Sequence, residues 1–143
     1  YELQEIIHDH GYLSRCQSIK IQSSCDLLVV LSWNTRKEQG ILSGKFFEYL
    51  QIFRPIIAIT NGDLKNAELT EMVEDLNLGI GCEYIKEDID LIRLKDYLLG
   101  QYRNKMIGET IPFKPNLKEI EGFHYQKISQ KLEKIFKGLI LSY

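Results

Sequence analysis

The fold is decided by Asp26-Leu-Leu-Val-Val-Leu31, followed by Gly40-Ile-Leu-Ser-Gly-Lys-Phe-Phe-Glu-Tyr-Leu50 and Arg54-Pro-Ile-Ile-Ala-Ile-Thr60. The first and last segments are continuous apolar runs rich in β-branched residues, a pattern typical of parallel strands covered on both faces. The polar segment from Ser32 to Leu42 predicts a loop, and Ser43 to Phe53 predicts a short helix. The stretch therefore reads as strand, loop, helix and strand.

The remainder of the 143-residue chain continues this alternation without an internal repeat or a long linker. Strands alternating with helices predict a single α/β domain, a Rossmann-like parallel sheet flanked by helices. The further predicted elements are a strand at Ile6–His8, a helix from Leu13 to Ser24, a helix capped by Asp63 or Asn66 and ending near Leu76, a strand from Leu78 to Cys82, a helix from Asp88 to about Tyr102, and an amphipathic helix over about 123–141.

The start of the helix after the first strand is a candidate binding site. Ser43 and Gly44 stand where that helix begins, so free backbone N–H groups and the positive end of the helix dipole form an anion site beside Lys45. Glu48 projects one turn further along, from nearly the same side. A cation and a carboxylate at this spacing suit a ligand with phosphates and sugar hydroxyls, such as a nucleotide-sugar.

Composition limits the classes of partner. With 18 basic and 20 acidic residues, a formal charge of −2 and a pI near 6.0, the chain lacks the basic excess typical of nucleic-acid-binding surfaces. No run approaches the roughly 20 apolar residues that span a bilayer. Cys16, Cys25 and Cys82 are an odd, widely spaced set, so we expect reduced, buried thiols in a cytoplasmic protein.

The order of motifs resembles the carboxyl-terminal, donor-binding domain of GT-B glycosyltransferases. The segments that carry the likeness are Cys-Asp-Leu-Leu-Val-Val-Leu-Ser, Ser-Gly-Lys-Phe-Phe-Glu-Tyr-Leu and Arg-Pro-Ile-Ile-Ala, and it extends from His8 to about Leu99. Retaining, family-four-type enzymes of bacterial surface-polysaccharide synthesis are the nearest type. The resemblance implies transfer of a sugar from a nucleotide-diphosphate sugar to a polysaccharide or lipid-linked acceptor, with no metal or other cofactor.

The resemblance also implies roles for individual residues. Glu48 matches the second of two family glutamates, the one that binds the ribose hydroxyls, while Gly40 stands where the first is expected and Glu38 lies on the same loop. Backbone groups from Leu42 through Ser43 and Gly44 to Lys45 match the diphosphate cradle. The loop that holds the base is matched by Gly11 and Tyr12.

The family's donor domain begins with two strand-helix units that have no counterpart after Tyr1, and its amino-terminal acceptor domain is absent too. We therefore expect a partial domain, inactive alone, that acts with the acceptor domain in the cytoplasm. No catalytic residue is assigned.

Several alternatives stay open. A GT-B-type sugar-nucleotide epimerase binds its nucleotide in a similar domain, and a flavodoxin-like interaction domain needs no catalytic groups. A receiver domain is disfavoured because Asp26 opens its strand rather than closing it. His8 and His10 are expected to be structural rather than metal ligands. The terminal helix is expected to pack on its own domain, with a membrane surface at the inner face as the second possibility for its lysines and aromatic residues.

Overall fold

The protein is described by a computed structural model covering residues 4–108 and 112–140. The described elements alternate along the chain as predicted for an α/β fold. They are α1 (Arg15–Ser24), β1 (Leu28–Trp33), α2 (Gly44–Ile52), β2 (Ile56–Asn61), α3 (Glu68–Asp75), β3 (Gly79–Glu83), α4 (Glu87–Met106), α5 (Leu117–Ile120) and α6 (Tyr125–Ile140), with short 3-10 turns at Tyr84–Lys86 and Glu121–Phe123.

The three described strands form one parallel sheet in the order β1-β2-β3. Leu28 lies opposite Ile56, and Ile56 lies opposite Gly79 on its other side. Because all three strands run in the same direction, their carboxyl ends share one edge of the sheet, where the loops leading into α2, α3 and α4 begin. The predicted Rossmann-like α/β architecture is confirmed.

One face of the sheet carries the main core. Leu28, Val30, Ile56 and Ala58 are buried on this face and belong to one apolar cluster with residues of α2 and α3. The helical members of the cluster include Phe46, Tyr49, Leu50, Leu69 and Val73. Burial of Phe46, which has no exposed surface, fixes α2 along the sheet and so sets the position of its first turn.

The opposite face is covered over only part of its width in the described structure. A smaller cluster joins Ile57, Ile80 and Cys82 of β2 and β3 to side chains of α4. On β1, however, Val29 is 49% exposed and Leu31 is 70% exposed. The prediction that this strand is covered on both faces is therefore wrong for the described residues, because α4 lies over β2 and β3.

The junction after α2 ties the amino-terminal helix to the sheet. Phe53 ends α2 in the left-handed conformation, with φ 57°. The next residue, Arg54, donates hydrogen bonds to the Ser23 carbonyl at the end of α1, at 3.1 Å from Nε and 2.8 Å from Nη2. The carbonyl of Pro55, the residue before β2, accepts a hydrogen bond from the Leu28 N–H at the start of β1, at 2.9 Å. This bond joins the starts of the two strands.

Two further sequence predictions need correction, and a third falls outside the described residues. Residues Ile6–His8 form no strand, so His8 and His10 lie on exposed irregular backbone rather than at a strand end. Of the three thiols Cys82 is buried as expected, and burial raises its pKa to about 11, but Cys16 is exposed. Leu141, the predicted end of the last helix, lies outside the described residues. Among those described, no helix has the length and apolar character needed to cross a membrane.

Candidate functional site

The first turn of α2 begins where the sequence predicts, and it is capped. Ser43 is the N-cap residue, with extended φ and ψ of −76° and 158°, and its side chain accepts from the Phe46 N–H at 3.4 Å. The Ser43 carbonyl also accepts from the Phe46 N–H, at 3.0 Å. Within residues 4–108 and 112–140, the N–H groups of Gly44 and Lys45 have no protein acceptor. Both residues are exposed, so these two donors are available to an anion.

Lys45 and Glu48 interact directly on the surface of α2. Nζ of Lys45 lies 3.0 Å from Oε1 of Glu48, and it also lies 5.7 Å from the centre of the Tyr49 ring. The Glu48 side chain is only 21% exposed, whereas that of Lys45 is 47% exposed. The lysine and the carboxylate are therefore brought together as predicted, but in the described structure they neutralise each other.

The electrostatic surroundings of Glu48 keep it ionised. The hydrogen bond from Lys45 is the largest cause that lowers the pKa of Glu48 below its ordinary value of 4.5, and partial burial opposes it. A hydrogen bond from Gln22 and the positive charge of Arg15 lower the pKa further. An ionised carboxylate accepts strong hydrogen bonds from hydroxyl donors, so Glu48 is suited to bind vicinal hydroxyls.

A groove runs beside α2, and the Glu48 side chain lines it. Its volume is about 740 Å³, and it is bounded by α2, by Arg15 at the start of α1 and by the segment from Ile120 to Ile128. Gly44 and Glu48 line it together with Arg15, His124 and Gln126. Sequence reasoning missed the contributions of Arg15, His124 and Gln126, because they lie far from α2 along the chain and join it only through tertiary packing.

Five of the seven predicted residues do not line this groove, and two of them also lie away from the start of α2. Tyr12 is fully exposed and Gly11, at φ 60°, is exposed as well; neither lines the groove. The Leu42 side chain packs against the main core, so any ligand contact it makes comes from its backbone. Of the seven predicted residues, Gly44 and Glu48 thus line the groove, and Ser43 and Lys45 lie beside them at the start of α2.

Position 40 is occupied by glycine for a local structural reason that the sequence did not reveal. The Gly40 N–H donates to the Trp33 carbonyl at 2.7 Å. A Cβ atom at this position would collide with Oγ of Ser32 and with the Trp33 carbonyl oxygen. A glutamate therefore does not fit at position 40 in this conformation. The carboxylate nearest in sequence, Glu38, lies in an exposed tight turn where its N–H and carbonyl both bind Oγ1 of Thr35, at 3.0 and 2.8 Å.

At the start of the neighbouring helix, α3, a carboxylate of the chain itself is bound. Neither Asp63 nor Asn66 caps it, contrary to prediction. Instead Glu83, buried at the end of β3, accepts from the Ala67 N–H at 2.6 Å and from the Thr70 hydroxyl at 3.0 Å. Its second oxygen lies 2.7 Å from the Lys86 ammonium. A carboxylate of the chain thus fills the anion position at α3, while the corresponding donors of α2 face solvent.

Candidate metal ligands do not cluster in the part of the chain that the structure describes, where no group of three or more His, Cys, Asp or Glu residues could hold an ion. The candidate site thus consists of the capped start of α2, with the open N–H donors of Gly44 and Lys45, the Lys45 ammonium and the ionised Glu48 carboxylate.

Comparisons of the chain with protein-family models, with curated proteins and with solved structures gave no match.

Proposed function

We propose that this chain is part of the donor-binding domain of a glycosyltransferase and holds a nucleotide-diphosphate sugar at the start of α2. The observation that carries the proposal is the pairing of two open N–H donors, at Gly44 and Lys45, with the ionised carboxylate of Glu48 one turn away. The first group suits a diphosphate and the second suits the ribose hydroxyls. The position at the carboxyl edge of a parallel sheet is where such folds bind ligands.

In this proposal the ammonium of Lys45 serves both halves of the ligand. One of its three N–H donors is used by Glu48, which leaves the others for a phosphate oxygen. As the bond between sugar and diphosphate breaks, negative charge grows on the diphosphate. Donors that are already oriented stabilise this charge without reorganising. Groups that activate the acceptor are not assigned to any described residue.

Ligand-detected NMR tests the proposal on the 143-residue chain. Saturation transfer from the protein to UDP-, GDP- and ADP-sugars is compared for the wild type and Glu48→Ala, with Glu71→Ala as the matched control because Glu71 is an exposed helical glutamate on α3. We expect transfer to one nucleotide class, strongest at the ribose protons, that is lost in Glu48→Ala and kept in Glu71→Ala. Equal transfer in all three proteins, or none to any nucleotide, would contradict the proposal.

A further inference from the structure

The last helix, α6, does not pack on the sheet as the sequence led us to expect. Every described side chain from Tyr125 to Leu139 is exposed. Ile128 is 39% exposed, Leu132 48% and Phe136 59%, and Ile135 has a similar exposure. Their spacing places these four apolar side chains on one face of the helix. Because α6 is already folded as a helix, this face is a preformed apolar surface.

The opposite face of α6 is positively charged. Lys127, Lys134 and Lys137 lie there, and Lys131 borders the apolar face. The single acidic residue of the helix, Glu133, is paired with Lys137 at 2.6 Å. Four lysines against one glutamate give the helix a formal charge of +3, whereas the whole chain carries −2. Positive charge is thus concentrated on a helix that also exposes an apolar face.

The apolar surface continues from α6 onto α2. Ile128 and Tyr125 line the groove beside α2, where Phe53 is 47% exposed at the end of that helix. Aromatic side chains at the margin of such a surface suit the boundary between lipid headgroups and acyl chains. The continuous surface therefore consists of the α6 face and the exposed end of α2.

We propose that α6 binds in the plane of a membrane that contains anionic lipids. Its apolar face enters the boundary between headgroups and acyl chains, and its lysines contact the anionic headgroups. With 16 residues, and hence a length of about 24 Å, it lies on the surface rather than spanning the bilayer. The inference uses neither Glu48 nor the start of α2, although Tyr125 and Ile128 line the same groove as Glu48.

A membrane fits this face better than a second copy of the chain does. If two α6 helices packed apolar face to apolar face, most of their eight lysines would point away from the interface and would meet no opposite charge. The 16 described residues of the helix also provide only about two heptads, fewer than the three or four that indicate a coiled coil. An anionic bilayer removes both difficulties because it supplies the apolar phase and the opposite charge together.

Vesicle flotation of the whole chain tests the inference. Vesicles of phosphatidylcholine alone are compared with vesicles containing phosphatidylglycerol, for the wild type, Leu132→Glu and Gln130→Glu. The two variants add the same charge to α6, but Leu132 lies on the apolar face and Gln130 on the polar face. We expect flotation with the anionic vesicles, abolished by Leu132→Glu and largely kept by Gln130→Glu. Replacing Lys134 by glutamine should weaken binding about fivefold.

Three outcomes would overturn the inference. These are no flotation with anionic vesicles, equal flotation with both lipid compositions, and flotation that Leu132→Glu leaves unchanged. Light scattering of the vesicle-free protein distinguishes the competing partner: a dimer that Leu132→Glu dissociates would assign the apolar face to an interface between copies. Circular dichroism of both variants establishes that their helix content is preserved.

Discussion

The ammonium of Lys45 donates a hydrogen bond to the carboxylate of Glu48 one turn along α2, with 3.0 Å between Nζ and Oε1. The pair joins the two side chains that the proposed ligand needs, and we expect it to affect stability without the ligand as well. The buried Phe46 and Leu50 hold the helix that carries both residues.

Glu48→Gln should lower the free energy of unfolding by at most about 1 kcal/mol at neutral pH, because the pair is partly exposed. The folded-state pKa of Glu48 lies below its ordinary value, so the contribution is present above that value and is lost as the pH falls through the folded-state pKa. Urea unfolding of wild type and variant should therefore differ at neutral pH and converge in acid. A difference that is constant with pH would show that the charge of Glu48 is not responsible.

Two glycines at the start of the site should respond in opposite ways to alanine. Gly40→Ala should destabilise the protein by about 1 to 3 kcal/mol, because its Cβ collides with Ser32 and with the Trp33 backbone. Gly44→Ala, whose Cβ meets no atom within 4 Å, should be neutral or stabilising by up to about 1 kcal/mol. Thermal unfolding of the two variants provides the comparison. Equal melting temperatures would mean that the loop before α2 is arranged differently.

Glu83 should be more important for stability than a carboxylate on the surface. Burial alone would raise the pKa of Glu83, but hydrogen bonds from Lys86, from the backbone at Ala67 and Asn66, and from Thr70 lower it overall. Glu83→Gln should cost about 1.5 to 3 kcal/mol at neutral pH, and less as the pH falls through the lowered pKa. Chemical unfolding at several pH values measures this cost, with Glu68→Gln as the exposed control. A loss no larger than that of the control would show that Glu83 does not hold α3.

The sequence predicted β1, α2 and β2 well because each of them has a strong local signal. Uninterrupted apolar runs identify β1 and β2, and Ser43 before a helical pattern identifies the start of α2. The lysine and glutamate of the site follow from spacing on one helix. These features depend on residues close together in the chain.

The sequence predictions that failed share a different cause, because they depend on contacts between residues that are far apart in the chain. Glu83 caps α3 from 16 residues beyond Ala67, so no local capping rule reveals it. Gly40 is required by the packing of its loop on Ser32, which resembles an ordinary polar loop in sequence. The periodicity of α6 shows that one side is apolar, but it does not show what that side faces. Arg15 reaches the groove only because α1 lies beside α2.

The two sides of β1 offer a test of the observed sheet. Val30 is buried against α2, whereas Val29 on the same strand is half exposed on the opposite side. Val30→Ala should cost about 1 to 3 kcal/mol and Val29→Ala less than about 1 kcal/mol. Urea unfolding compares the matched pair. Equal losses would indicate that the second side of β1 is covered in solution.

The most direct test of the proposed site follows the backbone amides of Gly44 and Lys45 in proton–nitrogen correlation spectra of the chain. Uridine, guanosine and adenosine diphosphates are titrated in turn, with inorganic diphosphate as the reference. We predict that one nucleotide shifts both amides saturably, and that Glu48→Gln weakens this nucleotide about tenfold without weakening inorganic diphosphate. Unchanged Gly44 and Lys45 amides with every nucleotide, or shifts centred elsewhere on the fold, would contradict the account.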